Sequence, residues 1–447
     1  MSPKASLQYK SNFLFDKKPI IPPNKTLSWF EQFLLCFSIY KNASKLFKTD
    51  LPKGSLSSVH GIRFISMTWV ILGHTYIFGM SVWSNSKDAS NLLSRFTFQA
   101  IGNATVSVDT FFMLSGLLVV YGVMHLMKAN NGKMNWLYFY VHRFWRLTPP
   151  YMLVLMVYVP LLQYWGDGPY WPITGVEKDY CDSTWWYNLL YINNFNDTEC
   201  MAWSWYLAND MQFYVISPII LFFLYKKPKI GLGILSALML AQLITCGVIM
   251  KVKHYSGLLT PGFFNEIYVK PYIRIGSYLV GMFYGYLLYK TNCKMTINRY
   301  IVAMLWLFAT ICAIAVLYGL YDTFHGSSMS TDLFAFYTTI HRIVWALSVG
   351  WVVYACVTGY GGFVNTILSW KPLIPLSRLT YCAYLVHPVV MDSFYLNSRY
   401  PVYLTDFEAI YLFFGHLVMS YLVAFVVSMA FEAPMIALES LFRSKKK

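Results

Sequence analysis

Ten stretches of about 20 mostly apolar residues recur along this chain, and they constrain its fold more than any other feature. A helix of about 20 residues crosses the ~30 Å hydrocarbon core of a bilayer and satisfies its own backbone polar groups there. The stretches lie near residues 64–80, 104–124, 147–165, 204–225, 231–250, 268–289, 300–321, 334–357, 376–395 and 407–431. The sequence therefore predicts an all-α fold, a polytopic membrane helix bundle of about ten transmembrane helices.

The composition agrees with a membrane location. Hydrophobic residues make up 57% of the chain and charged residues only 12%, about half the charged fraction of a soluble domain. The net charge of +15 would by itself suggest a nucleic-acid partner. Because the Lys and Arg residues fall in short connections between apolar stretches, we expect the lipid bilayer as partner and no nucleic acid.

The distribution of these basic residues predicts the orientation of the bundle. Cytosolic connections carry an excess of Lys and Arg. The connections on one side, together with both chain ends, hold 26 Lys and Arg, whereas those on the other side hold seven. We therefore expect a multi-pass protein with both termini in the cytosol, in the plasma membrane or the endoplasmic reticulum.

The segments outside the bundle are short. Residues 1–26 hold five Lys and no apolar core, so we expect no cleavable signal peptide. The apolar part of residues 27–48 is too short to span and is bracketed by Lys, which predicts an amphipathic helix on the cytosolic face. The predicted division is a cytosolic segment over 1–58, a transmembrane domain over 59–435 and a basic cytosolic tail over 436–447.

One predicted lumenal loop carries features of the secretory pathway. Of eight cysteines, only Cys181 and Cys200 fall in such a loop, and they share it with the glycosylation sequon that begins at Asn196. A disulfide between them suits an oxidising lumen, with two unpaired thiols as the alternative.

Two ionisable residues of the first span lie on one helical face. Arg63 and His74 are eleven positions apart, which is within ~20° of three full turns and ~16 Å along the axis. Arg63 would lie at the inner headgroup level and His74 near the bilayer centre. A phosphate-bearing donor that reaches inward would suit this pair. The alternative is that Arg63 is a topology anchor and His74 a hydrogen-bonded packing residue.

The second span adds a carboxylate from the opposite side. Asp109 is expected slightly lumenal of His74, where it would orient the imidazole and stabilise its protonated form. In the same span, Ser115 and Gly116 would allow close approach of another helix.

A pair of arginines opens the third span. Arg143 and Arg146 are three positions apart, so they are neighbours on one helical face and suit paired phosphate contact. Anchoring by the positive-inside rule is the alternative.

The order of these motifs resembles the acyltransferase 3 family of membrane acyltransferases. The Arg and His separated by ten residues are followed by VDTFFMLSG (108–116) and RFWRLTPPY (143–151). WYLANDMQFYVISP (205–218) is similar to the family's Trp-Ser-Leu-x-x-Glu-x-x-Phe-Tyr signature, with Tyr206 for Ser and Asp210 for Glu. LSRLTYCAYLVHP (376–388) resembles the family's penultimate span. TWWYNLLYINNF (184–195) and HGIRFISMTWVILGHTYIFG (60–79) resemble the nose-resistant-to-fluoxetine branch of animals, and the resemblance covers about residues 30–435.

This resemblance implies acyl transfer from cytosolic acyl-CoA to a hydroxyl or amine of a lipid-like or small-molecule acceptor. It implies that His74 is the general base, that Asp109 supports it, and that no metal takes part; a covalent acyl-imidazole is the alternative. The implied contacts to the CoA phosphates are Arg63, Arg143 and Arg146. The remaining candidates for substrate binding are Ser115, Asp210, Arg274 and His387. Arg274, Arg342 and His387 lie inside spans and are assigned to pocket structure or acceptor contact, with internal ion pairs as the alternative. His341, Asp392 and His416 receive no role.

One departure from the animal branch, and one property of that branch, bear on function. That branch usually carries a large Cys-rich lumenal domain with a signal peptide, which we expect to be lacking here. The branch is also associated with the movement of lipids or hydrophobic compounds, so a transporter is the alternative function. Internal repeats and paired discontinuous helices, which are typical of transporters, are not evident in the sequence. A catalytically silent scaffold is the third possibility.

Overall fold

The structure is a computed structural model that describes residues 27–52, 54–172, 176–197, 200–255, 257–258, 260–325 and 329–444. Two short helices, α1 (Trp29–Cys36) and α2 (Ile39–Phe47), precede ten long ones and a final helix. The long helices are α3 (Ser58–Gly79), α4 (Val106–Ala129), α5 (Trp136–Leu161), α6 (Trp205–Lys226), α7 (Pro228–Lys253), α8 (Pro271–Lys290), α9 (Arg299–Tyr318), α10 (Thr331–Val357), α11 (Leu373–Tyr395) and α12 (Asp406–Val427), and α13 (Ala433–Ser444) follows.

The connections add only small elements. Short α-helices lie at Ala89–Ser94, Gln99–Gly102, Lys178–Leu189, Tyr321–Phe324 and Gly362–Leu368. π-Helical turns lie at Phe264–Tyr268 and Ser428–Glu432. The described ranges contain no β-strand and only a single parallel bridge between Trp83 and Val402. The predicted all-α, polytopic bundle is confirmed.

Helix α8 differs from its neighbours in apolar character. In the described part of the chain, nine segments are long and apolar enough to cross a membrane, and α8 is not among them. Its 20 residues include Arg274 together with several tyrosines and glycines, which lower its mean hydropathy. This helix lies inside the bundle, because α4, α6, α7 and α10 all pack against it. The sixth predicted span is therefore a central helix of the bundle.

Glycines bring α4 and α8 into backbone contact. A Cβ atom at Gly281 would lie 1.9 Å from the carbonyl oxygen of Met113. One at Gly116 would lie 2.2 Å from the carbonyl oxygen of Tyr278. Small residues allow membrane helices to approach in this way, as the sequence predicted for Gly116. This close pair forms one fixed wall of the bundle.

The predicted amphipathic helix at 27–48 is broken in two. The Ser38 hydroxyl accepts the backbone N–H of Lys41 and starts α2 as a new helix. At the other end of α2, the Arg378 guanidinium of α11 donates to the carbonyls of Lys45, Leu46 and Lys48 at 2.9, 2.6 and 2.6 Å. The two helices and the turn between them expose large apolar side chains at Trp29, Phe30, Leu34, Phe37, Ile39, Tyr40 and Phe47. Their predicted place at the membrane surface stays a prediction.

A disulfide organises the long loop between α5 and α6. Cys181 and Cys200 are bonded, as the sequence predicted, and the alternative of two unpaired thiols is wrong. The Glu177 carboxylate beside them accepts the backbone N–H of Met201 at 2.8 Å. Burial raises the pKa of this Glu177 carboxyl. Asn196 lies in the same loop, while Thr198 of its sequon is outside the described residues.

We expect Gly281→Val to lower the free energy of unfolding by about 1–3 kcal/mol, because the new side chain must displace the α4 backbone. Gly122→Val is the matched control, since it lies on α4 and a Cβ there meets no atom within 4 Å. Thermal unfolding in detergent checks the difference. Equal melting temperatures for the two variants would contradict this packing.

Candidate active site

A cavity of about 1220 Å³ runs through the interior of the bundle. We call the end of the bundle formed by α1, α2 and α13 the terminal face, and the end with the disulfide loop the loop face. The lining begins at Lys45 and Ser440 on the terminal face and reaches Phe78 and Phe263 towards the loop face. Among the residues that the sequence singled out, those on its wall are Arg63, His74, Ser115, Arg143, Arg146 and Asp210. Arg63 and His74 therefore share one face of α3, as the spacing predicted.

A second histidine lies against His74. Its Nδ1 is 2.7 Å from Nε2 of His387 on α11, and the two rings stack at 12°. The Nδ1 of His387 in turn lies 2.8 Å from the carbonyl oxygen of Tyr384. The Tyr384 carbonyl lacks its usual helical donor, because the residue four positions later is Pro388, which has no N–H. His387 itself is fully buried.

This chain of hydrogen bonds determines the tautomers of the two neutral rings. A carbonyl oxygen only accepts, so Nδ1 of His387 carries the proton and donates it to Tyr384. The Nε2 of His387 is then an acceptor, and Nδ1 of His74 must be the donor. The lone pair of His74 is left on Nε2, on a ring that lines the cavity. The arrangement suits a general base.

Asp109 does not have the partner that the sequence predicted. Its Oδ2 pairs with Nη1 of Arg274 at 2.7 Å, and its Oδ1 accepts the Ser277 hydroxyl at 2.9 Å. Both members of the ion pair are fully buried, and neither lines the cavity. The depth of Asp109 was inferred from topology, but its face of α4 meets α8 rather than α3. The expectation that Asp109 orients His74 is therefore corrected, and an internal ion pair is what Arg274 forms.

The three predicted phosphate contacts have different surroundings. The Arg143 guanidinium forms an ion pair with Asp210 and lies 4.1 Å from the centre of the Tyr214 ring. Its Nη2 is 3.5 Å from the Ser115 hydroxyl. Arg63 and Arg146 form no hydrogen bond or ion pair to any residue that the structure describes. These two arginines therefore face the cavity with their donors available.

Other polar groups reach the cavity that the sequence did not single out. His60, His142 and Lys45 lie on its wall near the terminal face, and Arg378 joins them from α11. In the sequence, Arg378 is one of the 26 Lys and Arg on the predicted cytosolic side. His387 was predicted to serve pocket structure or acceptor contact, whereas the structure places it against His74. The His-Pro dipeptide was the available sequence signal, because the proline leaves the Tyr384 carbonyl without its helical donor. Among the described residues, no cluster of three or more His, Cys, Asp or Glu could hold a metal ion.

The geometry defines a membrane-embedded cavity with His74, hydrogen-bonded to His387, on its wall and several cationic side chains towards the terminal face. Comparison with known proteins gives the family. A family profile described as an acyltransferase domain matches residues 56–432. The chain belongs to the acyltransferase 3 family.

Three relatives give the range of similarity. The chain is 36% identical to nose resistant to fluoxetine protein 6 of Caenorhabditis elegans over 93% of its length and 55% of that protein. It is 25% identical to regulator of hypoxia-inducible factor 1 of the same organism, over 79% of the chain and 74% of the relative. It is also 25% identical to O-acetyltransferase OatA of Staphylococcus aureus (strain NCTC 8325 / PS 47), over 69% of the chain and 50% of the relative. The chain thus spans about half the length of the first and third proteins. No solved structure matches the chain.

We expect Asp109→Asn to lower the free energy of unfolding by about 3–5 kcal/mol, because it leaves the buried Arg274 charge unpaired. Replacing both partners, as Asp109→Leu with Arg274→Met, should cost less than the single change. The matched control is Asp406→Asn, which removes an exposed ion pair with Arg95 worth at most about 1 kcal/mol. Denaturation in detergent measures all three. An Asp109→Asn protein of unchanged stability that has lost acyl transfer would instead support the predicted role in catalysis.

Proposed function

We propose that this protein is a membrane-embedded acyltransferase that moves an acyl group from acyl-CoA to a hydroxyl or amine, with His74 as the general base. The observation that carries the proposal is the hydrogen-bonded pair of His74 and His387, which leaves an unprotonated nitrogen on the cavity wall. Membership of the acyltransferase 3 family supports the reaction class.

In the proposed reaction His74 first accepts a proton from the acceptor and later donates it to the leaving group. The acceptor oxygen or nitrogen attacks the thioester carbonyl carbon while Nε2 of His74 takes its proton. The carbon–sulfur bond then breaks, and the CoA thiolate leaves with the proton that His74 returns. His387 is a positioning residue in this scheme, because its bond to the Tyr384 carbonyl sets the tautomer of His74.

The donor would enter from the terminal face. Arg63 and Arg146 lie on the cavity wall without protein partners among the described residues, and guanidinium groups bind phosphate through paired hydrogen bonds. Arg143 is less available, since Asp210 already pairs with it. We therefore assign the phosphates first to Arg63 and Arg146. The excess of Lys and Arg on this face supports its cytosolic location, where acyl-CoA is found.

The acceptor would reach His74 from the loop face. The cavity wall there is apolar, with Ile77, Phe78 and Phe263 beyond the histidine, which suits a lipid-like or hydrophobic small molecule. The name of one relative, an O-acetyltransferase, supports transfer to an oxygen atom. Asn196 and the disulfide would lie on the lumenal side of the membrane in this orientation.

Transport of lipids or hydrophobic compounds is the second candidate. One observation favours it, namely that a single largely apolar cavity is lined by residues from the terminal face as far as Phe263. Transport does not require an unprotonated histidine nitrogen on that wall, whereas general base catalysis of acyl transfer does. The loss of His74 therefore separates the two functions.

We expect His74→Gln to lower kcat for acyl transfer by roughly 10²–10⁴-fold, since general base catalysis contributes about that much. Transfer from labelled acyl-CoA in membranes measures it. The matched control is His125→Gln, which changes an exposed histidine on α4 away from the cavity. If the product forms at the same rate after the loss of His74, the proposed mechanism is wrong.

We expect the double variant Arg63→Ala and Arg146→Ala to raise the KM for acyl-CoA roughly tenfold or more, because charge-assisted hydrogen bonds to phosphate are lost. Arg299→Ala is the control, as Arg299 is an exposed arginine on the same face and outside the cavity. Initial rates at varied acyl-CoA concentration give KM. A similar change in both proteins would assign the effect to general surface charge.

We expect glycosidase treatment to shift the mobility of the protein from a eukaryotic membrane, and Asn196→Gln to abolish the shift. Asn24→Gln removes a sequon on the predicted cytosolic side and should leave the shift unchanged. A shift that depends on Asn24 would reverse the proposed orientation.

A further inference from the structure

A carboxylate with one unpaired oxygen lines the large cavity. Glu432 ends the π-helical turn that follows α12, and its side chain is only 6% exposed. Its Oε2 accepts hydrogen bonds from the Ser428 hydroxyl at 2.9 Å and the Cys382 thiol at 3.2 Å. Its Oε1 has no hydrogen bond or ion pair to any residue that the structure describes, and it is not one of the unpaired atoms sealed in the core. This oxygen is therefore an acceptor on the cavity wall.

A phenol hydroxyl lines the same cavity without a partner. The ring of Tyr206 on α6 packs against Tyr384 of α11 and Phe112 of α4, with ring centres 5.5 and 4.7 Å away. Within the described ranges its hydroxyl forms no hydrogen bond, and it too is not among the atoms sealed in the core. A phenol hydroxyl can both donate and accept. The aromatic contacts thus hold a second unpaired polar group at the cavity.

The helices α3 and α11 give the depth of these groups, because they run side by side from the terminal face inwards. Near that face Nδ1 of His60 lies 3.0 Å from the Ser377 hydroxyl, and deeper in the bundle His74 meets His387. Arg63 follows His60 by one helical turn and precedes His74 by about 16 Å along the axis. A ligand held at both Arg63 and His74 must span that stretch.

Both unpaired groups lie within this stretch. Glu432 contacts α11 at Cys382, which precedes His387 by about 7.5 Å along the helix axis. Tyr206 contacts α11 at Tyr384, about 4.5 Å before His387. A ligand that extends from the arginines to the histidines therefore passes the level of an unpaired acceptor and an unpaired hydroxyl.

We infer that this stretch binds the pantetheine arm of the acyl donor, whose amide N–H groups donate to Oε1 of Glu432 and whose amide carbonyls accept from the Tyr206 hydroxyl. The inference rests on the proposed function and deepens it, since it names side chains that would select a pantetheine thioester over other acyl donors.

The length and the chemistry of the arm support this inference. An extended chain advances about 3.6 Å for every three bonds, so the dozen or so bonds from the phosphate to the sulfur of phosphopantetheine reach roughly 15 Å. The arm carries amide and hydroxyl donors together with carbonyl acceptors, whereas a hydrocarbon chain has neither. An unpaired carboxylate oxygen within a membrane bundle is unfavourable until a donor reaches it.

Two probes separate the arm from the phosphates. CoA carries both, whereas adenosine 3′,5′-bisphosphate carries phosphates and no arm. With the full chain in lipid nanodiscs, we expect Glu432→Gln and Tyr206→Phe each to weaken CoA binding roughly three- to tenfold, as for one lost hydrogen bond. Both variants should bind the bisphosphate as tightly as the wild-type protein does, which also reports that they are folded. Isothermal titration calorimetry measures both affinities.

The matched controls are Glu408→Gln and Tyr400→Phe, which change exposed side chains outside the cavity and should leave CoA binding unchanged. If Glu432→Gln and Tyr206→Phe leave CoA binding at the wild-type level, the inference is wrong while the proposed donor stands. Equal weakening of CoA and bisphosphate would also overturn it, because the effect would then not belong to the arm. A wild-type protein that does not bind CoA would instead overturn the proposed donor, and the inference with it.

Turnover gives an independent measurement. An acyl-pantetheine thioester carries the arm without the nucleotide. We expect Glu432→Gln to lower kcat/KM for acyl-pantetheine by the same factor as for acyl-CoA, because both donors present the same arm to Oε1. A loss of kcat/KM with acyl-CoA alone would contradict the assignment of Glu432 to the arm.

Discussion

Two opposite charges within a membrane bundle must meet each other, because neither has water to solvate it. Asp109 and Arg274 meet between α4 and α8, both fully buried, about two turns from the glycines Gly116 and Gly281 that allow the two backbones to touch. The ion pair is completed by further hydrogen bonds, from the Ser277 hydroxyl to Asp109 and from Arg274 to the Tyr268 carbonyl, which all lie on the side of α8. The least apolar of the long helices is thereby kept at the centre, and α4 presents Ser115 to the cavity from a fixed position.

The need of buried polar groups for hydrogen-bond partners also explains the histidine pair. Pro388 deprives the Tyr384 carbonyl of its helical donor, and His387 supplies one through Nδ1. That bond leaves Nε2 of His387 as an acceptor, so the proton of His74 is drawn to Nδ1 and its lone pair to the cavity. The backbone hydrogen bond that Pro388 removes from α11 therefore determines the tautomer of His74 on α3. The proposed base needs no carboxylate, which agrees with the position of Asp109 against α8.

Helical periodicity predicts which residues share a face, and here it placed Arg63 and His74 correctly on one wall. It does not tell which helix that face will meet, and so Asp109 was assigned the wrong neighbour. The pairing of His74 with His387 joins residues 313 positions apart, beyond the reach of any local pattern. The loop disulfide was predictable, because topology left only Cys181 and Cys200 together on one side.

The most direct test of the central claim is a cryo-electron microscopy structure of the protein with a non-hydrolysable acyl-CoA analogue. The account predicts the CoA phosphates at Arg63 and Arg146, with the acyl carbonyl close enough to His74 for an acceptor hydroxyl within about 3 Å of Nε2. Density for the analogue on the loop face, or a lipid that fills the cavity while acyl-CoA stays unbound at saturating concentration, would contradict it.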